Sequence, residues 1–327
     1  MLATLQARKP RMPDGWSTVS FAFSVTGPIF VILLLGIALS RIGLITDAFV
    51  DVGSRLVFNV TLPSLLFISI SKTHIEASAN FVLIGYALAG TVVAYLLLEA
   101  LAGVLVRPRE DRGVVVQGAF RSNMGIVGLA YCVNAYGERG LAAASIYLGL
   151  VTILLNVLAV ITLNRSHNTH GSIAATLAAI ARNPLIIGIL LALPVAWAQI
   201  ELPGVLLHTG EYFAQMTLPL ALLCTGASLS LKPVRDELRN AVLATAGKLL
   251  LVPTLLTVGG YLVGFRGIDL GILFLMSSAP TAAASYVMAR SMGGNAGLAA
   301  NIIAYTTLGS MAVTSLGVAW LRGQGLM

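Results

Sequence analysis

Residues 117–128 read Gln117-Gly118-Ala119-Phe120-Arg121-Ser122-Asn123-Met124-Gly125-Ile126-Val127-Gly128. They lie inside an apolar segment, about 114–135, yet they include three glycines, a serine, an asparagine and an arginine. Each glycine lowers helix stability by about 1 kcal/mol relative to alanine, and an arginine in the middle of an apolar span is costly unless it meets a cavity or a partner. A second weak stretch, Ser277-Ser278-Ala279-Pro280-Thr281-Ala282-Ala283-Ala284-Ser285, lies in the apolar segment 270–291. Pro280 removes a backbone donor and its ring clashes with the preceding turn. Positions 124 and 280 are 156 apart. Both segments are expected to unwind at matching points and cross there. Their second halves are expected to begin near Asn123–Gly125 and Pro280–Thr281, the proline taking its favoured first-turn place.

The same offset recurs outside these stretches. Gly27-Pro28-Ile29 corresponds to Asn183-Pro184-Leu185, Thr61-Leu62-Pro63 to Thr217-Leu218-Pro219, and Gly137 to Gly293, all at 156; Leu141-Ala142-Ala143 matches Leu298-Ala299-Ala300 at 157. Several matches near one offset point to two homologous halves. Between them the chain carries ten apolar segments, about 21–40, 54–70, 80–105, 114–135, 141–163, 184–200, 206–230, 240–264, 270–291 and 298–320. A membrane span needs roughly 20 mainly apolar residues. Runs such as Ile29-Phe30-Val31-Ile32-Leu33-Leu34-Leu35 do not alternate as barrel strands do, so the spans are helices. Five spans per half is an odd number, so the second half enters from the opposite face. The expected fold is all-α and integral to the membrane: ten helices in two inverted five-helix repeats, with helices four and nine broken and crossing. Such repeats place a binding site near the midplane at the broken helices.

Composition agrees. Of 327 residues, 57% are hydrophobic and 10% charged, against roughly 25% charged in soluble domains. The net charge of +7 is spread as single basic residues between apolar runs, so nucleic-acid binding is excluded. Cys132 and Cys224 both fall in apolar segments and read as packing thiols. The organisation follows: a polar, mobile tail at 1–18, a first repeat at 19–163, a connection at 164–183 and a second repeat at 184–322. Eleven Lys and Arg fall in loops on one face and seven on the other. The first face, with the 164–183 connection, is expected to be cytoplasmic and both termini to lie outside.

These residues resemble a known family. Phe120-Arg121-Ser122-Asn123-Met124-Gly125-Ile126-Val127-Gly128-Leu129 looks like the fourth-helix motif of the auxin efflux carrier (PIN-like) family. Asn183-Pro184-Leu185-Ile186-Ile187-Gly188, Leu218-Pro219-Leu220-Ala221-Leu222-Leu223 with Gly226-Ala227-Ser228-Leu229, and Ala279-Pro280-Thr281 through Arg290 are similar to its other hallmarks, so the likeness covers about 20–322. The resemblance implies secondary transport of an organic anion by alternating access, driven by an ion or proton gradient, in a compact bacterial type seated in the plasma (inner) membrane. It carries the crossover asparagine to Asn123 and the crossover proline to Pro280. Met124 stands where the family has a second proline, so that crossover rests on Gly125 and its neighbours.

The candidate binding residues are Asn123, Gly125, Ser278, Pro280, Thr281, Arg121, Asn59, Asn301 and Tyr305. Two exposed helix N-termini would favour an anion, with Asn123 and Thr281 as direct donors to a carboxylate. Arg121 is a candidate counter-charge, or pairs with Glu99 or helix carbonyls. Lys248 is a candidate for coupling or counter-charge, or snorkels to the surface. Glu99 is a candidate proton carrier or an ion-pair partner. Tyr147 and Asn156 line a cavity or bridge helices. Pro63 and Pro219 kink the support helices beside the crossing, Arg290 anchors at the interface, and His74, His167, His170 and His208 read as solvated. The partners expected are a small organic anion, a coupling proton or sodium ion, the bilayer and a second copy in a homodimer.

No phosphate loop is present, since Gly247-Lys248 is followed by Leu249. No His-Glu-x-x-His pair or Gly-x-Ser-x-Gly elbow occurs. An enzyme, a cofactor and a metal site are therefore not expected. A cation/proton antiporter of similar fold would want acids at the crossing, where this chain has Arg121; a passive pore is the third reading.

Overall fold

The computed structural model describes residues 15–72, 80–167, 182, 184–229 and 237–327. The expectations for most of the N-terminal tail, for most of the 164–183 connection and for His74 and His170 fall outside the described residues.

The described regular structure is helical. Its helices are α1 (Gly15–Arg41), α2 (Asp47–Ser71), α3 (Phe81–Leu105), α4 (Arg112–Phe120), α5 (Met124–Ser166), α6 (Pro184–Trp197), α7 (Gly204–Ala227), α8 (Leu238–Val263), α9 (Gly267–Ser278), α10 (Ala284–Ser291) and α11 (Ala296–Gly323). Among the described residues six of them, α1, α2, α3, α5, α8 and α11, are long and apolar enough to cross a membrane. Outward-facing Val31, Leu34, Val82, Leu96, Leu190, Leu262 and Leu316 are exposed, as a lipid-facing surface requires.

The remaining helices are short for physical reasons. α4 has 9 residues and α9 has 12, about 14 and 18 Å at 1.5 Å per residue; neither spans a hydrocarbon core of about 30 Å alone. Both are buried on all sides: Gly113–Phe120 in α4 and Leu270–Ser278 in α9. Irregular backbone at membrane depth is tolerated only where protein covers it, and here it follows these two inner helices.

Segments 114–135 and 141–163 follow one another without a loop: the 43 residues of α5 are two helices joined across a kink, at the interval left between the two expected spans. The chain turns at Gly137 (φ 61°, ψ −145°), a backbone conformation that favours glycine. The next leg returns so closely that a Cβ on Gly140 would lie 2.4 Å from the Cys132 carbonyl oxygen. The second half of segment 270–291 begins at Ala284, not at Pro280–Thr281. Pro280 and Thr281 stay out of the helix because their polar groups are engaged across the break, while the Ala282 and Ala283 carbonyls accept from the Ser285 and Tyr286 N–H groups and lead into α10.

Two packing groups emerge, joined where α1 packs on α11 and α5. α1 packs on α7, and α2 packs on α6 and α7. α4 packs on α3, α5 and α8, and α9 packs on α5 and α8, with α11 against α4, α8 and α10.

Candidate functional site

The two breaks meet through their backbones. The Asn123 N–H donates to the Pro280 carbonyl at 2.7 Å, and the Ala282 N–H donates to the Arg121 carbonyl at 3.0 Å. Ser122 and Thr281 thereby form an isolated antiparallel bridge. Proline fits this place because its carbonyl alone is used and it has no N–H to satisfy. The bridge gives peptide groups between four helix ends the partners that lipid cannot supply.

The C-terminal ends are closed by side chains. The Thr281 hydroxyl donates to the Gly118 carbonyl at 2.6 Å, and the Thr281 N–H donates to Thr306 Oγ1 at 3.1 Å. On α9, the Ser277 carbonyl accepts from Lys248 Nζ at 2.7 Å and from Ser122 Oγ at 3.2 Å, and the Ser278 carbonyl accepts from Thr314 Oγ1 at 3.4 Å. Lys248 Nζ also donates to Ser122 Oγ. Lys248 is 0% exposed.

The N-terminal end of α5 is open by contrast. Asn123 precedes it without a side-chain cap. Val127 is the first residue whose N–H bonds back, to the Asn123 carbonyl at 3.1 Å, which leaves the N–H groups of Met124, Gly125 and Ile126 ahead of the first intrahelical bond. The Asn123 side chain is 7% exposed, and none of the hydrogen bonds made by described residues uses its amide. Ala283, before α10, likewise provides no side-chain cap.

Arg121 ends α4 and is 8% exposed. Its guanidinium donates to Asn156 Oδ1 at 2.6 Å and contacts Met288 Sδ. Among the described residues no carboxylate pairs with it: Glu99 accepts from Thr162 and lies 3.7 Å from Arg165 instead. The expected alternative of an Arg121–Glu99 pair is corrected, because Glu99 is taken by α5's second leg. The helix-carbonyl alternative for Arg121 is replaced by Asn156. Lys248 does not snorkel.

The other candidates scatter. Ser278 is fully buried, its hydroxyl on the Leu275 carbonyl at 3.4 Å. Gly125 packs near Leu62. Asn59 is exposed and donates to the Arg55 carbonyl of its own helix. Asn301 donates to Glu237 at 3.1 Å, and Tyr305 is half-buried. Tyr147 is buried with its hydroxyl unpartnered among the described residues. Pro63 packs against Gly188, which joins α2 to α6. Arg290 reaches Tyr286 Oη at 3.4 Å, and both cysteines are buried and free.

Pro219 lines a cavity of about 480 Å³ between α1, α2, α7 and the part of α5 on either side of Gly137. Lys72 and Glu211 form an ion pair across it from α2 to α7, and Asn134, Gln215 and Glu138 add polar groups. Its floor includes Ala130, five residues or about 7.5 Å along the helix from Gly125.

Several structural residues carried no sequence signal except spacing. Asn80 Nδ2 donates to Asp269 at 2.8 Å, and Asn240 Nδ2 donates to Asp111 at 2.9 Å. The asparagines are 160 apart and the aspartates 158 apart, close to the repeat offset. Ser122, whose position at the 156 offset is Ser278, donates to the neighbouring Ser277 carbonyl.

Apolar spans surrounding two half-length inner helices define a multi-pass membrane protein. A sequence model of the family described as "Membrane transport protein" matches residues 22–318. An uncharacterised transporter of Methanothermobacter thermautotrophicus is 25% identical over 272 residues, covering 80% of this chain and 85% of its own. An uncharacterised transporter of Methanocaldococcus jannaschii is 24% identical over 300 residues, covering 88% of this chain and 95% of its own. The chain belongs to this membrane transport family, the auxin efflux carriers that its motifs resemble.

Proposed function

We propose that the chain is a secondary active carrier of a small organic carboxylate or dicarboxylate, working by alternating access on two inverted five-helix repeats. One observation carries the reading: the crossing closes its negative helix ends but leaves the N-terminus of α5 open beside the unpartnered amide of Asn123. Free N–H groups and the positive end of the helix dipole select negative charge. Arg121, buried without a carboxylate, supplies further positive charge at the same break. A cation carrier would need acids at this place, and none of the described acidic residues is bonded to the bridge.

The inverted repeat is supported by exchanged partners. Asn80 of the first half meets Asp269 of the second, and Asn240 of the second meets Asp111 of the first, so each half supplies one asparagine and one aspartate to the contacts between them. The cavity between the α1, α2 and α7 group and the part of α5 on either side of Gly137 gives a route toward the crossing.

The test is uptake of labelled mono- and dicarboxylates into proteoliposomes under imposed gradients. Saturable uptake that follows a gradient is expected for at least one carboxylate. Linear, unsaturable flux would identify a pore, and sodium or proton flux without any carboxylate requirement would identify a cation antiporter.

A further inference from the structure

We propose that Lys248 is a tethered cation seated where the broken helices would otherwise need a metal ion, so that this crossing binds no sodium. The inference rests on the carrier reading for its consequence in transport, but the site can be tested without any substrate.

The first step is a charge balance. Each helix C-terminus presents roughly half a negative charge from its unbonded carbonyls. α4 and α9 end at the same bridge, which brings together about one unit. In broken-helix carriers such carbonyl ends are where coupling cations are held. Here the ends are already occupied. The Lys248 ammonium donates to the Ser277 carbonyl at 2.7 Å and to Ser122 Oγ, and Ser122 Oγ passes a hydrogen bond on to the same carbonyl at 3.2 Å. In its protonated form the Lys248 amine brings one positive charge to the converging negative ends, and it sits between Ser122 of one break and Ser277 of the other.

The second step is the absence of another balance. The ion pairs among the described residues are Lys72–Glu211 and Arg165–Glu99, so Lys248 has no carboxylate. An ammonium that is 0% exposed is expensive to keep unless local groups compensate it. The carbonyl, the hydroxyl and the helix ends are those groups. Among the described residues no three His, Cys, Asp or Glu side chains converge to hold a metal elsewhere.

The third step is placement. Lys248 lies in a π-helical turn, Gly247–Leu251, within α8, and such turns re-aim side chains at functional sites. Gly247 lets α8 close on α4: a Cβ there would lie 2.9 Å from Ala119 Cβ. Bare backbone at 247 therefore delivers the next residue to the end of α4. Lys248 acts as a positioning residue that sets the charge of the crossing.

The experiment is thermal denaturation of the purified full-length protein in sodium chloride and in choline chloride at equal ionic strength. The wild-type midpoint is expected to be the same in both. Lys248→Met, which keeps most of the volume and loses the charge, is expected to melt lower in both salts. Lys248→Ala vacates the space beside Ser122 and Ser277; sodium is expected to raise its midpoint by several degrees, since a ligand that binds only the folded state stabilises it. Sodium-dependent stabilisation of the wild type would overturn the proposal without requiring any variant to fold. So would a Lys248→Met midpoint equal to wild type, or a Lys248→Ala protein indifferent to sodium. Failure of every carboxylate in the uptake assay, with these midpoints as expected, would remove the carrier reading and leave the tethered cation standing.

Discussion

Asn123 and Thr281 belong to one pair of joined backbones, and their side chains are put to opposite uses. Thr281 spends its hydroxyl on the Gly118 carbonyl and is 1% exposed, so it holds the crossing together and has no donor left for a substrate. Thr281→Val keeps the shape and leaves that carbonyl bare. Leaving a buried acceptor unsatisfied costs about 1–3 kcal/mol, and a lower melting temperature is the expected reading. Asn123 has no internal side-chain bond to lose, so Asn123→Ala is expected to stay within about 0.5 kcal/mol of wild-type stability. A hydrogen bond to a charged group contributes about 1.5–3 kcal/mol; its loss predicts at least about a tenfold weaker half-saturation in carboxylate uptake, since 1.4 kcal/mol is a factor of ten. Unchanged kinetics in Asn123→Ala would remove the residue from the site. The contrast was only half legible in sequence. Both residues stood out as polar groups at a weak point, but which hydroxyl is consumed depends on Gly118, 163 positions away, and no local pattern encodes that.

At the scale of elements, the chain announced where its helices fail and concealed how the failures are repaired. Glycines in 118–128 and Pro280 mark both breaks by local energetics alone. The start of α10 was misplaced because proline at a first turn is a local preference, whereas Pro280 and Thr281 are held extended by Asn123, Arg121, Gly118 and Thr306. The turn inside α5 was legible, because Gly137 falls in the interval left between the fourth and fifth spans. Lys248 read either as a coupling or counter-charge or as snorkelling to the surface, because its partners Ser122 and Ser277 lie 126 and 29 residues away. The element that delivers it makes a prediction. Gly247→Val sets a branched side chain against Ala119 and Leu98, and overpacking costs about 1–3 kcal/mol. Pushing α8 off α4 also pulls Lys248 from Ser122. Gly247→Val and Lys248→Met should therefore be strongly non-additive in a double-mutant cycle of denaturation free energies, and simple additivity would mean that α8 reaches the crossing by another contact.

For the whole molecule, the cavity lies where the two packing groups meet, lined by α1, α2 and α7 from one and by α5 around its Gly137 turn from the other. The Lys72–Glu211 pair closes the α2–α7 side of its mouth. The loop charges lead us to expect the opposite ends of these helices in the cytoplasm, so this cavity is expected to open outward. Alternating access then requires α5 to move against the other wall, and a probe on α5 should sense it. Val133 lines the cavity from that helix and is half-buried. Val133→Cys adds a thiol close in size to the native side chain. The two native cysteines are 0% and 2% exposed and should give little background with a bulky reagent. Val133→Cys is expected to react with a membrane-impermeant maleimide applied to the outside of intact cells, and to react at a different rate once a transported carboxylate is saturating. Labelling only after the cytoplasmic face is opened would invert the orientation read from the loops. A rate indifferent to every transported carboxylate would take the cavity off the transport path, because a wall that moves with the carrier cycle cannot hold its thiol at constant accessibility while ligand shifts the population between states.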